Sequence, residues 1–251
     1  MTAWMQTGRG RPIDLLAPDL TAIDVAAEIA WPLAGLARFA AHQETNEPEA
    51  RQPIWSVAQH CVVGADAVFA ETGSLASALA FLVHDAHEAF IGDLTTPVAN
   101  ALEDHVETVV KFVFGLDAAT RIRDAFGQGA AAAAITGLRT RLDRRIHALA
   151  GLPVDLPAAM MAIVRDMDLR MLDAERRQIL GPVRMAPGEG IWPAAVRQAK
   201  PVRLRGPLRP WPRHKAATEW MTRWERWRIR PADTRPQIPP RSRPAAIFTP
   251  A

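Results

Sequence analysis

Tyrosine is absent from this 251-residue chain, and cysteine occurs once, at Cys61. A single cysteine excludes an internal disulfide framework and a zinc cluster built from cysteines, and it suits a reducing cytoplasm. No run approaches the roughly 18 consecutive apolar residues that a membrane span needs. The basic residues near the N-terminus are followed by no apolar core, so we expect no secretory signal. The predicted protein is therefore cytoplasmic and makes no membrane contact.

Acidic residues are scarce in the C-terminal part of the chain. From Arg197 onward there are fourteen Lys or Arg residues and three Asp or Glu residues, which leaves 16 basic and 24 acidic residues before that point. The net charge of +3 thus combines an acidic body with a basic end. The sequence pI of about 9.7 therefore does not by itself indicate a nucleic-acid-binding body.

Strand signals are nearly absent, because the sequence shows no sustained alternation of polar and apolar residues and no Asn-Gly hairpin. Apolar residues at helical spacing predict an all-α body instead. We expect Ser56 to cap the N-terminus of one helix. Residues 24–39 are predicted to form one or two helices, and the first 20 residues to be irregular. The other predicted helices span residues 57–68, 75–90, 98–114, 118–126, 130–149, 157–180 and 216–228.

The composition changes after residue 182, so we divide the chain into a helical domain at 1–182 and an extension at 183–251. The extension alternates proline with arginine and tryptophan around one short helix, and its last 20 residues are expected to be extended or disordered. Trp220, Trp224 and Trp227 share one face of that helix. We expect them to pack on the body or on a second subunit. The alternative is that they stack on nucleic-acid bases.

Two titratable residues, His84 and Asp85, stand side by side in an apolar helical segment. Their burial is costly unless something compensates it, and a divalent cation bound by imidazole and carboxylate would do so. Glu88 follows on nearly the same helix face. His60, in the preceding apolar helix, and Asp168, in VRDMDLRMLDAE, would complete a site with open positions for water and phosphate.

The segments SVAQH, LVHDAHEAFIGDLTTPV and DLRMLDAE occur in this order. Together they resemble the HD-domain superfamily of metal-dependent phosphohydrolases, and most closely its branch of bacterial 5′-deoxynucleotidases. The opening W-x-Q-T-x-x-G-R-x-x-D-L run and LARFAAH are similar to the same branch, so the resemblance extends from Trp4 to Leu180. It implies an HD-domain helical bundle, and it covers nothing of residues 183–251.

The resemblance implies a ligand set for the metal. The four ligands would be His60, His84, Asp85 and Asp168. Asp166 and Asp173 compete with Asp168, which alone fits the D-L-R-x-L frame.

The resemblance also implies residues that act on the substrate. Glu88 and Asp93 would position or activate the attacking water and protonate the leaving group, with the alternative that Asp93 is only a turn residue. Arg38 and Phe39 would contact the phosphate or sugar of the nucleotide. The nucleotidases carry Trp at the position of Phe39, and often Lys at that of Ala99.

We therefore expect a metal-dependent phosphohydrolase that acts on nucleotides, with 5′-nucleotidase activity on deoxynucleoside monophosphates. A triphosphohydrolase acting on deoxynucleoside triphosphates and a nucleic-acid-associated HD scaffold are the alternatives. The cofactor would be one divalent metal ion, and Mn, Co, Mg, Fe and Zn all suit the mixed nitrogen and oxygen ligands. The expected partners are the nucleotide substrate and a second copy of the chain in a homodimer.

Overall fold

The computed structural model describes residues 3–44, 53–183 and 192–229. Helices hold 64% of the described residues and strands 4%, which confirms the all-α class. The helices are α1 (Trp31–Gly35), α2 (Val57–Thr72), α3 (Leu75–Val83), α4 (Glu88–Ile91), α5 (Thr96–Phe114), α6 (Leu116–Phe126), α7 (Ala130–Ala150), α8 (Ala158–Gln178), α9 (Ala194–Arg197) and α10 (Arg213–Trp227). The extended or disordered character predicted for residues 232–251 lies outside the described residues. No described helix has the length and apolar character needed to cross a bilayer.

The N-terminal segment is more regular than the sequence predicted. Strand β1 (Trp4–Gln6) pairs antiparallel with β2 (Pro12–Asp14), and Met5 lies opposite Ile13. A hydrogen bond from the amide of Thr7 to the carbonyl of Arg11 (2.8 Å) closes the turn, and Ile13 is buried in the core. Strands of three residues are too short to show an alternating pattern, so the prediction of an irregular segment was wrong here.

The predicted helix over residues 24–39 is also shorter in the structure. A π-helix at Ala26–Ala30 continues into α1, which ends at Gly35, and the next residues are extended. Backbone hydrogen bonds then pair this segment with the residues before α2: Arg38 N donates to Trp55 O (3.0 Å) and Val57 N donates to Leu36 O (3.0 Å). This tertiary pairing overrides the local helical pattern and brings Arg38 beside α2.

A left-handed turn follows Arg38. Phe39, Ala40 and Ala41 have φ angles of 58°, 50° and 65°, a region that residues other than glycine rarely enter. Hydrogen bonds from His42 N to Phe39 O (2.9 Å) and from Gln43 N to Ala41 O (2.9 Å) close this turn. The turn therefore begins at Phe39, the second residue of the predicted substrate-binding pair.

Helices α2 and α3 form the centre of the core. Ser56 caps α2 as predicted, because its Oγ accepts a hydrogen bond from Gln59 N (3.3 Å). The predicted helix over residues 75–90 is interrupted: α3 ends at Val83, and tight i→i−3 hydrogen bonds such as Glu88 N to Asp85 O (3.0 Å) lead into α4. The interruption falls on His84 and Asp85, so the two side chains leave the ordinary spacing of an α-helix.

The extension packs on the body through α10. Trp220 and Trp224 are fully buried, Trp227 nearly so, and Trp220 Nε1 donates to the carbonyl of Leu82 (3.1 Å). Arg223 forms a bidentate pair with Asp66 of α2 (3.1 and 2.8 Å). The prediction that these tryptophans pack on the body is confirmed, and the buried indoles are not available to stack on bases.

Gly64 permits the close approach of α2 and α3. A Cβ atom at this position would collide with Cε1 and Cζ of the Phe81 ring, which is fully buried. We expect Gly64→Ala to lower the free energy of unfolding by about 1–3 kcal/mol, the usual cost of overpacking a core, measured by urea denaturation followed by circular dichroism.

Gly137→Ala is the matched control, because Gly137 also lies inside a helix and a Cβ there would meet only Arg141 Nη1 at 3.5 Å. This variant gains helix propensity of up to about 1 kcal/mol without a clash. Equal stability of the two variants would contradict the packing argument.

Trp220 anchors the extension to the core. Trp220→Ala removes a buried indole and leaves the Leu82 carbonyl without its donor, so we expect a loss of about 3–5 kcal/mol in unfolding free energy. Trp4→Ala, at a tryptophan that is 55% exposed, should change the midpoint of thermal unfolding far less. A Trp220→Ala protein as stable as the Trp4→Ala protein would show that α10 contributes little to the fold.

Candidate functional site

The four predicted metal ligands meet at the junction of α2, the turn after α3, and α8. His60 Nε2 lies 3.3 Å from Asp168 Oδ1 and 3.9 Å from Asp85 Oδ2. His84 Nε2 lies 3.2 Å from Asp85 Oδ2 and 3.7 Å from Asp168 Oδ1. The ligand atoms of His60, His84 and Asp168 all lie within 4.8 Å of one another, a spacing that could hold a metal ion.

Both histidines are oriented through their other ring nitrogen. His60 Nδ1 lies 2.5 Å from Glu175 Oε1, and His84 Nδ1 lies 2.7 Å from the carbonyl oxygen of Phe81. Each acceptor favours a proton on Nδ1, which leaves the lone pair of Nε2 facing the aspartates. Neither Nε2 atom has a hydrogen-bond partner within the described ranges, although both are buried. Orphaned imidazole nitrogens of this kind fit a bound cation.

The carboxylates of the site favour the protonated form of both imidazoles. Burial opposes the protonation of His84, but Asp85 and Asp168 outweigh it and raise its pKa well above the ordinary value. Burial and Arg38 likewise oppose the protonation of His60, yet Glu175 and Asp168 raise its pKa. A metal ligand must be a neutral imidazole. A divalent cation bound by the two imidazoles would therefore take the place of the protons that the neighbouring carboxylates otherwise favour on His60 and His84.

Asp85 is held ionised by its neighbours. Burial opposes its negative charge, but His84 and Arg38 keep the pKa of Asp85 well below its usual range. Asp168 is the ligand open to solvent, with 44% of its side chain exposed. The site is therefore enclosed on the side of α2 and α3 and accessible along α8.

Glu175 is a site residue that the sequence reasoning missed. It is completely buried, and its carboxylate contacts His60 through Oε1 and Arg38 Nε through Oε2 (3.2 Å). Arg38 and His60 together keep the pKa of Glu175 low despite burial, which alone would raise it. The available signal was its position seven residues after Asp168, two helical turns along the same face of α8.

The predicted substrate-binding pair lies beside the ligands. Arg38 Nη1 donates to Asp85 Oδ2 (3.3 Å) while Nε donates to Glu175, so the guanidinium links two carboxylates of the site. The Phe39 ring stands 5.5 Å from the Arg38 guanidinium carbon, within range of a cation–π contact. Arg38 thus has a positioning role that the prediction did not include.

Glu88 and Asp93 lie at the two ends of the short α4 segment, Glu88 as its first residue and Asp93 directly after the Gly92 cap. Glu88 is 5% exposed, and burial together with the carboxylates of Asp85 and Asp93 raises its pKa to about 9. Burial also raises the pKa of the half-buried Asp93, against the opposing charge of Arg38. The pKa values of both carboxyl groups therefore depend on the charges of the ligand cluster.

The competing aspartates of α8 point elsewhere. Asp166 pairs with Arg170 (3.3 Å), and Asp173 pairs with Arg176 (2.7 Å) and Arg177 (2.9 Å). Of the three aspartates, only Asp168 lies beside His60 and His84, as its position in the D-L-R-x-L frame predicted.

Cys61 follows His60 and approaches His84 and Asp85 closely enough to be a further ligand. It is fully buried, and this burial raises the pKa of its thiol to about 11. Because the thiolate is the form that binds metals, the neutral thiol is a poor candidate beside the imidazoles. We regard Cys61 as a small buried residue of the core.

Comparison with known proteins shows a relationship to a bacterial protein. The chain is 30% identical over 183 residues to an uncharacterized protein of Rhodobacter capsulatus, in an alignment that covers 71% of this chain and 74% of the relative. The chain belongs to the family of that protein. No family model matches the chain. Because the relative is uncharacterized, the relationship establishes kinship and supplies no activity.

We expect any metal binding at this site to depend on Glu175 as well as on the four predicted ligands. Glu175→Gln keeps the shape of the side chain but removes the charge that orients His60, so we expect metal affinity to fall by about 10- to 100-fold. His84→Ala removes a ligand and should abolish metal binding at this site while the far-ultraviolet circular dichroism stays helical. Isothermal titration of the metal-free proteins measures both effects. A Glu175→Gln affinity equal to wild type would exclude the positioning role.

Proposed function

We propose that this protein is a metal-dependent phosphohydrolase of nucleotides with an HD-type site, and that its substrates are deoxynucleoside 5′-monophosphates. The observation that carries the proposal is the convergence of His60 and His84, each with Nδ1 anchored and Nε2 unpartnered among the described residues, on the carboxylates of Asp85 and Asp168. The order of these residues along the chain matches the H…HD…D pattern of the superfamily it resembles.

The ligand chemistry suits a divalent cation. Two imidazole nitrogens and two carboxylate oxygens form a mixed set that borderline and hard cations accept, so Mn, Co, Mg, Fe and Zn are all compatible. When bound, such a cation lowers the pKa of a coordinated water and neutralises charge on a phosphate. The exposed edge of Asp168 leaves room for a phosphate to enter from solvent.

The remaining residues supply proton transfer and orientation. Glu88 lies beside the ligand cluster, and it would accept a proton from the attacking water when the charge of a bound cation offsets the burial and the carboxylates that raise its pKa. Asp93, whose pKa burial raises, would return a proton to the leaving alkoxide. Arg38 would hold Asp85 in place and attract the phosphate oxygens, with Phe39 beside the sugar.

A panel of substrates tests the proposal. Full-length protein is loaded with each of the five metals in turn, the metal content is measured, and phosphate release is followed for deoxynucleoside mono-, di- and triphosphates. Orthophosphate from the monophosphates is the expected result. Tripolyphosphate from the triphosphates would favour the triphosphohydrolase instead, and metal-loaded protein that hydrolyses none of them would favour a scaffold.

Glu88→Gln separates catalysis from binding. The amide keeps the size of the side chain but cannot act as a base, so we expect turnover to fall by about 10² to 10⁴. The protein should retain at least one equivalent of metal, because the His60–His84–Asp168 group is untouched. Turnover within a factor of two of wild type would remove Glu88 from the catalytic machinery.

A further inference from the structure

A third histidine, His87, is buried beside the site. His87 lies in the turn before α4, is 5% exposed, and places Nδ1 2.8 Å from Asp143 Oδ1 on α7. The Asp143 carboxylate favours a proton on Nδ1, as Glu175 does for His60. The lone pair of His87 is therefore on Nε2.

His87 and Glu88 form a group of candidate ligands together with Asp85. His87 Nε2 and Glu88 Oε2 are both buried, and across the described segments neither has a hydrogen-bond partner. The ligand atoms that Asp85, His87 and Glu88 offer lie within 4.8 Å of one another. Burying such groups without partners is costly, so each requires an explanation.

We propose that Asp85, His87 and Glu88 hold a second divalent cation beside the one assigned to His60, His84 and Asp168, with Asp85 shared between the two. The sharing of Asp85 rests on the metal site of the proposed function. One imidazole nitrogen and two carboxylate oxygens suit the same borderline or hard cations as the first set. Two ions that share a carboxylate can clamp one phosphate group from both sides.

The charge around the cluster favours a second ion. Six carboxylates and two guanidinium groups of the described chain line or adjoin it; the carboxylates belong to Asp85, Glu88, Asp93, Asp143, Asp168 and Glu175, and the guanidinium groups to Arg38 and Arg139. Carboxyl groups therefore outnumber guanidinium groups by three to one around the cluster. Such an excess of acidic groups attracts cations.

The second ion gives Glu88 two tasks. Its Oε2 would bind the cation, and its other carboxylate oxygen would remain available to the attacking water. The proposed reaction gives His87 no proton to transfer, and its Nδ1 faces Asp143 on α7. Variants of His87 therefore report on the second ion without removing a catalytic group of the proposed reaction.

The test counts metal ions without measuring turnover. Full-length protein is stripped with a chelator and titrated with Mn²⁺ alone, by calorimetry and by electron paramagnetic resonance, which detects magnetic coupling between neighbouring Mn²⁺ ions. We expect two equivalents and a coupled signal for the wild type, and one equivalent with no coupling for His87→Ala. A wild type that binds fewer than two equivalents, or a His87→Ala protein that still binds two, overturns the proposal.

Two further variants separate this result from misfolding. His147→Ala is the matched control, because His147 is also buried and its Nδ1 contacts a carbonyl oxygen, that of Val154 (2.9 Å), outside the cluster. It should bind two equivalents. Asp143→Asn keeps every ligand but weakens the orientation of His87, so the affinity of the second equivalent should fall by about 10- to 100-fold while the first is unchanged. Equal affinities in Asp143→Asn and wild type also contradict the proposal.

The outcome is independent of the proposed reaction. Two coupled ions in a protein that hydrolyses no nucleotide would support the second site and refute the phosphohydrolase. A single ion in a protein that releases orthophosphate would do the reverse.

Discussion

The buried carboxylate of Glu175 is the constraint on which the site depends. It is fully enclosed, so its charge must be compensated inside the protein. His60 and Arg38 provide that compensation from α2 and from the segment before the left-handed turn, while Glu175 itself comes from α8. Three distant parts of the chain are thereby fixed together, and the same contacts turn His60 Nε2 toward the aspartates.

This requirement also explains the local backbone. Arg38 reaches Glu175 and Asp85 only because residues 36–38 leave the helical path and pair with residues 55–57. The strained residues Phe39, Ala40 and Ala41 come immediately after this pairing. Strain of this kind persists where surrounding contacts determine the conformation, and the pairing with Trp55 and the ion pairs of Arg38 are such contacts.

The sequence predicted the parts of the structure that depend on local patterns. Apolar periodicity located most helices within a few residues, and the spacing of His60, His84, Asp85 and Asp168 predicted four side chains that the structure brings together. Patterns failed where long-range contacts decide the backbone, at the interruption after Val83 and at residues 36–41. The two three-residue strands were not predicted because the alternation of polar and apolar residues can be recognised only in a longer segment.

The roles of Glu175 and His87 could not be predicted from the sequence for a different reason. Both were visible in the quoted segments, but their importance lies in which buried atom each one faces. His87 Nδ1 contacts a carboxylate of α7 that lies 56 residues further along the chain, and no local pattern predicts such a contact. The role of a buried histidine is determined by its tautomer, and the tautomer is determined by its neighbours.

The position of Gln59 ties the C-terminal extension to this chemistry. Its amide Nε2 donates to the carbonyl of Arg209 (2.8 Å), and its Oε1 accepts from the amide of Trp211 (2.8 Å). His60 is the next residue along α2. Helix α2 thus forms hydrogen bonds with the extension through Gln59 and contacts the ligand cluster through His60. The extension and the site therefore belong to one cooperative unfolding unit. Amide hydrogens of α2 and α10 would then exchange with solvent through the same global opening, so a substitution that loosens the extension would also raise exchange at the residues that hold the site.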